Sequence, residues 1–186
     1  SVSATLSLMR AGLTWVPLNP RDAADNHAYV LENFHCDVLF YQSRFAASVA
    51  EFRARIPGIK LFICLDEPDG GPAFLDWIAE HPAAELPHGF DPEGIVMMAG
   101  TGGTTGQPKG VEQTHRATET QVLVLLATLP FRKRPVYFAV APLTHAAGYI
   151  TYAIYAAGGT LVLQGVPEPR NILAAIERHG VSSLFL

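Results

Sequence analysis

Only two of the 186 residues are cysteines, Cys36 and Cys64. They match neither a zinc pattern nor a disulfide framework, and they read as reduced core thiols of a cytoplasmic protein. Charged residues make up just 16% of the chain and sum to −4. That balance argues against non-specific binding to nucleic acid or to an anionic membrane. Apolar runs are short: the longest, around residues 122–126, falls far below the roughly 20 residues that cross a bilayer. The first nine residues lack the basic start of a signal peptide and read as a helix. Because Ser1 is not an initiator methionine, the chain is expected to be an excerpt of a longer one. Lysine is also rare, with Lys60, Lys109 and Lys133 the only three.

One of those lysines stands inside the most distinctive stretch, Ala99-Gly100-Thr101-Gly102-Gly103-Thr104-Thr105-Gly106-Gln107-Pro108-Lys109-Gly110. It follows the apolar run Ile95-Val96-Met97-Met98, read as a buried strand, and precedes the extended segment Val111-Glu112-Gln113-Thr114. Glycines let the backbone reach positive φ and approach a ligand closely. Successive N–H groups can then converge on an anion. Thr101, Thr104 and Thr105 add hydroxyl donors, and Lys109 adds a positive point charge. The whole suits a polyphosphate, although composition alone equally allows a flexible surface loop. The Walker template fails, because Gln107 and Pro108 separate Gly106 from Lys109 and Gly110 follows the lysine. The dinucleotide fingerprint fails for want of a third glycine in register.

Hydrophobic periodicity gives a β–α rhythm along most of the chain. Helices are expected over 2–10, 22–34, 43–56 (with Ser43 as cap), 73–80, 115–129, 145–157 and 168–179. Strands are expected over 13–18, 37–41, 60–65, 95–98, 136–140, 160–163 and 181–186. Strands apolar throughout indicate parallel sheet covered by helices, hence an α/β fold. The proline- and glycine-rich region 66–92 is the expected sub-domain seam. The centre of 115–129, Val122-Leu123-Val124-Leu125-Leu126, is apolar on every side and is expected to be buried. Arg132-Lys133-Arg134 reads as a solvated basic turn, with a ligand role the alternative.

Thr101 to Gly110 closely resembles the phosphate-loop signature of the adenylate-forming (AMP-binding) superfamily, which includes acyl-CoA synthetases, aryl-CoA ligases, luciferases and peptide-synthetase adenylation domains. Gly102 departs from the usual serine, losing one hydroxyl but keeping the backbone N–H. The resemblance implies parallel β-sheet layers flanked by helices in Rossmann-like subdomains, as part of the large N-terminal domain. It implies ATP and Mg²⁺ at the loop, with Thr101, Gly102, Gly103, Thr104, Thr105, Gly106 and Lys109 around the phosphates. The segment from Leu8 to Pro20 also resembles a family motif and is read as scaffold.

A second motif, Ala141-Pro142-Leu143-Thr144-His145-Ala146-Ala147-Gly148, joins a strand end to a helix start. Ligands of open α/β sheets sit beyond the carboxyl ends of strands, so this turn and the glycine loop can face one crevice. A lone histidine here is more often a cap or core partner. Its surroundings, however, resemble the family's Pro-Leu-x-His-x-x-Gly, which implies His145 beside the substrate carboxylate and Ala147 and Gly148 at the acyl-pocket wall. Amino-acid-activating members hold the substrate ammonium with an Asp near this helix start. No carboxylate occurs from Ala141 to Gly159, which disfavours an amino-acid substrate. Tyr149, Tyr152 and Tyr155 could border an apolar pocket or pack in the core, the latter preferred. For His115 a structural role at its helix start is preferred over a substrate role.

The activity implied by the resemblance is ATP-dependent activation of a small carboxylic acid, fatty or otherwise apolar or aryl, to an acyl-adenylate. Transfer to coenzyme A as a thioester would follow. The family's Mg²⁺-binding Glu, ribose-binding Asp and the Lys of a C-terminal lid domain have no match up to Leu186. The segment alone is therefore expected not to turn over. A non-catalytic nucleotide-binding module, a carrier-protein ligase and a luciferase-like enzyme remain alternatives. A nicotinamide-dependent dehydrogenase is disfavoured by its missing glycines.

Overall fold

Where a helical stretch separates two apolar runs, it carries the chain back to the end of the sheet at which the first strand began, so the two strands run parallel. The computed structural model describes residues 2–67, 73–81, 83, 91–101, 108–129, 131, 133–144, 146–165 and 168–185. Two compact units divide it at 113/114, whereas the sequence placed the seam at 66–92. Ala73 bridges to Cys64, and Asp66 bonds to Ser43, so the start of that irregular region belongs to the first unit.

The first unit opens with α1 (Val2–Arg10) and α2 (Ala24–Asn33). Ala28 and Leu31, one turn apart on α2, are buried against β1 (Val38–Tyr41), α3 (Ala46–Arg55) and β2 (Leu61–Cys64). Val49, Phe52 and Ile56 complete the helical stripe of α3, and β1 runs parallel to β2 from Val38↔Leu61 to Tyr41↔Cys64. A six-residue helix, α4 (Phe74–Ala79), follows, and then β3 (Ile95–Thr101) pairs with β4 (Lys109–Thr114).

Two local expectations change here. Ser43 does not cap α3: it begins a 3₁₀ turn, and its N–H and hydroxyl donate to the Asp66 carboxylate at 2.7 and 3.2 Å. The predicted strand over 13–18 shrinks to a single parallel bridge, Trp15↔Met97. Trp15 N–H donates to the Val96 carbonyl and accepts, at its own carbonyl, from Met98 N–H, each at 3.0 Å. The next rung would need an N–H from residue 17, and Pro17 has none.

Bonds from Ser43 N–H first, and then the Cys64 thiol, hold the Asp66 carboxyl down to about 2. A depressed carboxyl stabilises the fold above its unfolded value near 3.9 and loses that contribution as pH falls towards about 2. The urea midpoint of Asp66→Asn is therefore expected to lie below wild type at pH 6 and to converge with it by about pH 2. Parallel, pH-independent curves would refute this role.

In the second unit, Thr114 caps α5 (His115–Thr128) by accepting Ala117 N–H at 3.1 Å. The central strand β5 (Val136–Ala139) is flanked by β6 (Thr160–Leu163) and β7 (Ser183–Phe185), both parallel to it. Two further helices, α6 (Ala146–Ala156) and α7 (Pro169–His179), complete the alternation. Tyr137, Ala139 and Ile154 form the core, joined by Phe131, Leu143, Ile150 and Leu161.

Burial of α5 on every side is not what the structure has. Thr118 is its only buried residue, while Leu123 and Val124 are 61% and 54% exposed. The helix packs on α6 along one side, and no described residue covers the other. Thr120 and Thr128 donate their hydroxyls to the helix's own Arg116 and Val124 carbonyls, and the exposed side is charged near Arg116 and Glu119 and apolar at Leu123 and Val124. Among the described residues no helix is long and apolar enough to cross a membrane.

Candidate active site

The glycine loop begins and ends on paired strands, so its neck is well defined. Thr101 is the last residue of β3 and Lys109 the first of β4, making the strands longer at this end than the sequence implied. Thr101 Oγ1 donates to the Lys109 carbonyl at 3.2 Å, tying the two ends together. That bond occupies the hydroxyl proton expected for phosphate. The Lys109 side chain is exposed and enters no ion pair among the described residues. Gly102, Gly103, Thr104, Thr105 and Gly106 lie outside the described residues.

Gly110 follows the lysine in β4, in a place that is tight for any side chain. A Cβ there would lie 3.0 Å from Phe34 Cζ and 3.2 Å from Met98 Cγ and Sδ. Beneath, β3 is fastened by the Trp15 bridge and by Thr14 Oγ1, which donates to the Ile95 carbonyl at 2.6 Å. Phe34 has no sequence signal, while Thr14 and Trp15 fall in the Leu8 to Pro20 segment read as scaffold, where nothing local says which strand they hold.

In the second unit, β5 ends at Ala139 and α6 starts at Ala146, as the strand–turn–helix reading requires. His145 lies outside the described residues. Ala147 is fully buried, and its carbonyl accepts from Tyr137 Oη at 3.4 Å and Thr151 Oγ1 at 3.0 Å. Its methyl therefore meets protein, and the exposed small residue of this turn is Ala146. Gly148 sits directly under the preceding turn, where a Cβ would overlap the Leu143 carbonyl oxygen. Thr144 Oγ1 is buried with no hydrogen-bond partner among the described residues, leaving a polar atom free beside position 145. Tyr149 and Tyr152 are half-buried and Tyr155 is 38% exposed, so the stripe is not core as preferred. Burial pushes the Tyr152 phenol up to about 12, helped by Tyr149, and the hydroxyl stays protonated at neutral pH.

A cavity of about 370 Å³ occurs elsewhere, lined by Leu31, His35, Cys36, Asp37 and Lys60 among others, at the amino ends of β1 and β2. Burial first, and then Asp37, pushes the Cys36 thiol up to about 11, so it is protonated at neutral pH. This cavity shares no residue with the loop neck and plays no part in the site.

The profile of the AMP-binding enzyme family matches residues 1–186. The chain belongs to that family. Within it, the chain is 29% identical over 182 residues to feruloyl-CoA synthase of an Amycolatopsis species, covering 95% of this chain and 34% of that protein. It is 26% identical over 181 residues to 4-hydroxybenzoate–CoA/benzoate–CoA ligase of Rhodopseudomonas palustris, with the same coverages, 95% and 34%. Among solved structures it resembles the amide bond synthetase McbA of Marinactinospora thermotolerans, with TM-score 0.82 and 27% identity over the whole chain and 37% of that protein. The chain thus spans about one third of these AMP-binding relatives, and it has the α/β architecture of adenylate-forming enzymes.

Proposed function

We propose that the complete protein activates a carboxylic acid with ATP to an acyl-adenylate and then transfers the acyl group to coenzyme A. The observation that carries this reading is Lys109, an exposed cation fixed by its backbone at the neck of a glycine loop. A carboxylate oxygen attacks the α-phosphorus, and the bond from that phosphorus to the bridging oxygen breaks. Pyrophosphate leaves with the electron pair. Lys109 offsets the charge that grows on it, an interaction stronger in the transition state than before it. His145 orients the carboxylate, which needs no general base. A thiol then attacks the adenylate carbonyl, expelling AMP and giving up its proton.

ATP fits the loop neck by charge and by the open approach at Lys109. Mg²⁺, when bound, would neutralise phosphate charge. Among the described residues no group of three or more His, Cys, Asp or Glu side chains could hold it. Residues 1–186 are read as part of the N-terminal nucleotide-binding domain, working in the cytoplasm and inactive alone.

For the acid, an aryl or other apolar class, fatty acids included, is favoured. Residues 141–159 contain no carboxylate to hold an ammonium, and Ala146 leaves room beside the turn. The named aryl acids of two relatives agree with that choice. A hydroxamate-trapping screen of the complete protein tests it: aryl and apolar acids should give ATP-dependent product and amino acids none. A best signal with amino acids would overturn the substrate class, and no signal with any acid would overturn the activity. The likeness to an amide bond synthetase favours a second reading, in which the acceptor is an amine. Product analysis with coenzyme A and amines offered together separates the two.

A further inference from the structure

Lys109 can act on phosphate only if the backbone that carries it is fixed, and the contact that fixes it from outside the loop comes from α2. Phe34 ends that helix, its N–H donating to the Val30 carbonyl at 2.9 Å. The next residue, His35, turns into the left-handed region at φ 51. His35 N–H then donates to the Glu32 carbonyl at 3.2 Å and Cys36 N–H to the Leu31 carbonyl at 3.0 Å. Such a double closure is the Schellman arrangement, and it stops the helix abruptly. Leu31 is buried in the core at 2% exposure, so the turn that bears Phe34 is anchored.

From that turn the Phe34 ring reaches β4 and places Cζ 3.0 Å from where a Gly110 Cβ would stand. Met98 of β3 closes in as well, its Cγ and Sδ both 3.2 Å from that same point. Gly110, contacted on this side and exposed on the other, is the immediate neighbour of Lys109. Thr101 Oγ1 holds the Lys109 carbonyl on the loop side. We propose that Phe34 is a positioning residue for Lys109: its ring edge, seated on Gly110, sets the backbone from which the ammonium projects. This rests on the reading of Lys109 as a phosphate partner and adds that α2, far from the loop in sequence, governs it.

The packing predicts reciprocal behaviour. Phe34→Ala leaves a gap over Gly110, Gly110→Ala drives a methyl into the ring, and the double variant puts the methyl into the gap. In the complete protein, each single change is expected to raise KM for ATP about tenfold while leaving KM for the acid within twofold. The double variant is expected to return most of the way to wild type, since residues in contact are non-additive. Phe34→Leu, which keeps an apolar side chain, serves where Phe34→Ala fails to fold, and should give an intermediate KM for ATP. A lowered thermal midpoint with both KM values unchanged would overturn the proposal, as would strict additivity in the double variant. A wild-type protein with no acid-dependent ATP–pyrophosphate exchange would remove the reading of Lys109 itself, and the proposal with it.

Discussion

Lys109→Ala in the complete protein is expected to lower acid-dependent ATP–pyrophosphate exchange by about two to three orders of magnitude. Removing one preorganised group aimed at developing charge costs roughly 2.7–4 kcal/mol of transition-state stabilisation. The fold should be indifferent: the side chain is exposed and enters no ion pair among the described residues, while the carbonyl that bonds Thr101 belongs to the backbone. Thermal unfolding should therefore match wild type within the usual range of surface substitutions. The loss should appear as a lower kcat, because pyrophosphate gains charge as the bond breaks. It should appear equally as a KM for ATP raised by about tenfold or more, because the ammonium already meets the phosphates of bound ATP. Exchange within threefold of wild type would end the assignment.

Gly148→Ala is expected to damage both stability and acid use. The added methyl would overlap the Leu143 carbonyl oxygen, with the Leu143 carbonyl carbon at 3.2 Å, and backbone cannot rotate away as a side-chain tip can. Either the turn 141–145 shifts or the first turn of α6 loosens. Overpacking of this kind costs about 1–3 kcal/mol. A displacement of order 1 Å beside the reacting group costs about a hundredfold in rate. Gly58→Ala is the control, since nothing lies within 4 Å of its Cβ position. Wild-type unfolding and wild-type KM for the acid in Gly148→Ala would show that the turn is not held as described.

Much of the architecture was legible because its signals are local. Apolar runs at 37–41, 60–65, 136–140 and 160–163 became β1, β2, β5 and β6, and the parallel pairings followed from the helices between them. What misled was context. The α5 segment reads as buried because periodicity reports side-chain chemistry and not the number of neighbours. Among the described residues α6 packs along one side of it, while Leu123 and Val124 stay exposed. Ser43 reads as a cap because the residue that claims it, Asp66, lies 23 positions on. At the candidate site, the order of glycines, threonines and lysine singled out the loop whose neck β3 and β4 form. Phe34 and Met98 could not be read, since only folding brings them to Gly110. The motif resemblance puts Ala147 at a pocket wall; here Ala147 is buried, and its carbonyl takes two hydroxyls in the interior of the second unit.

The fastening of β3 by Trp15 carries a consequence for synthesis on the ribosome. Thr14 bonds to the Ile95 carbonyl across 81 positions, so the N-terminal half of this pair emerges long before the other. At translation speeds of about 5–20 residues per second, the Trp15 backbone groups and the Thr14 hydroxyl wait about 4–16 s for the strand they hold. During that interval an aromatic ring and an unpaired backbone edge stand in the cell unattended, which makes this early stretch a natural stop for chaperones.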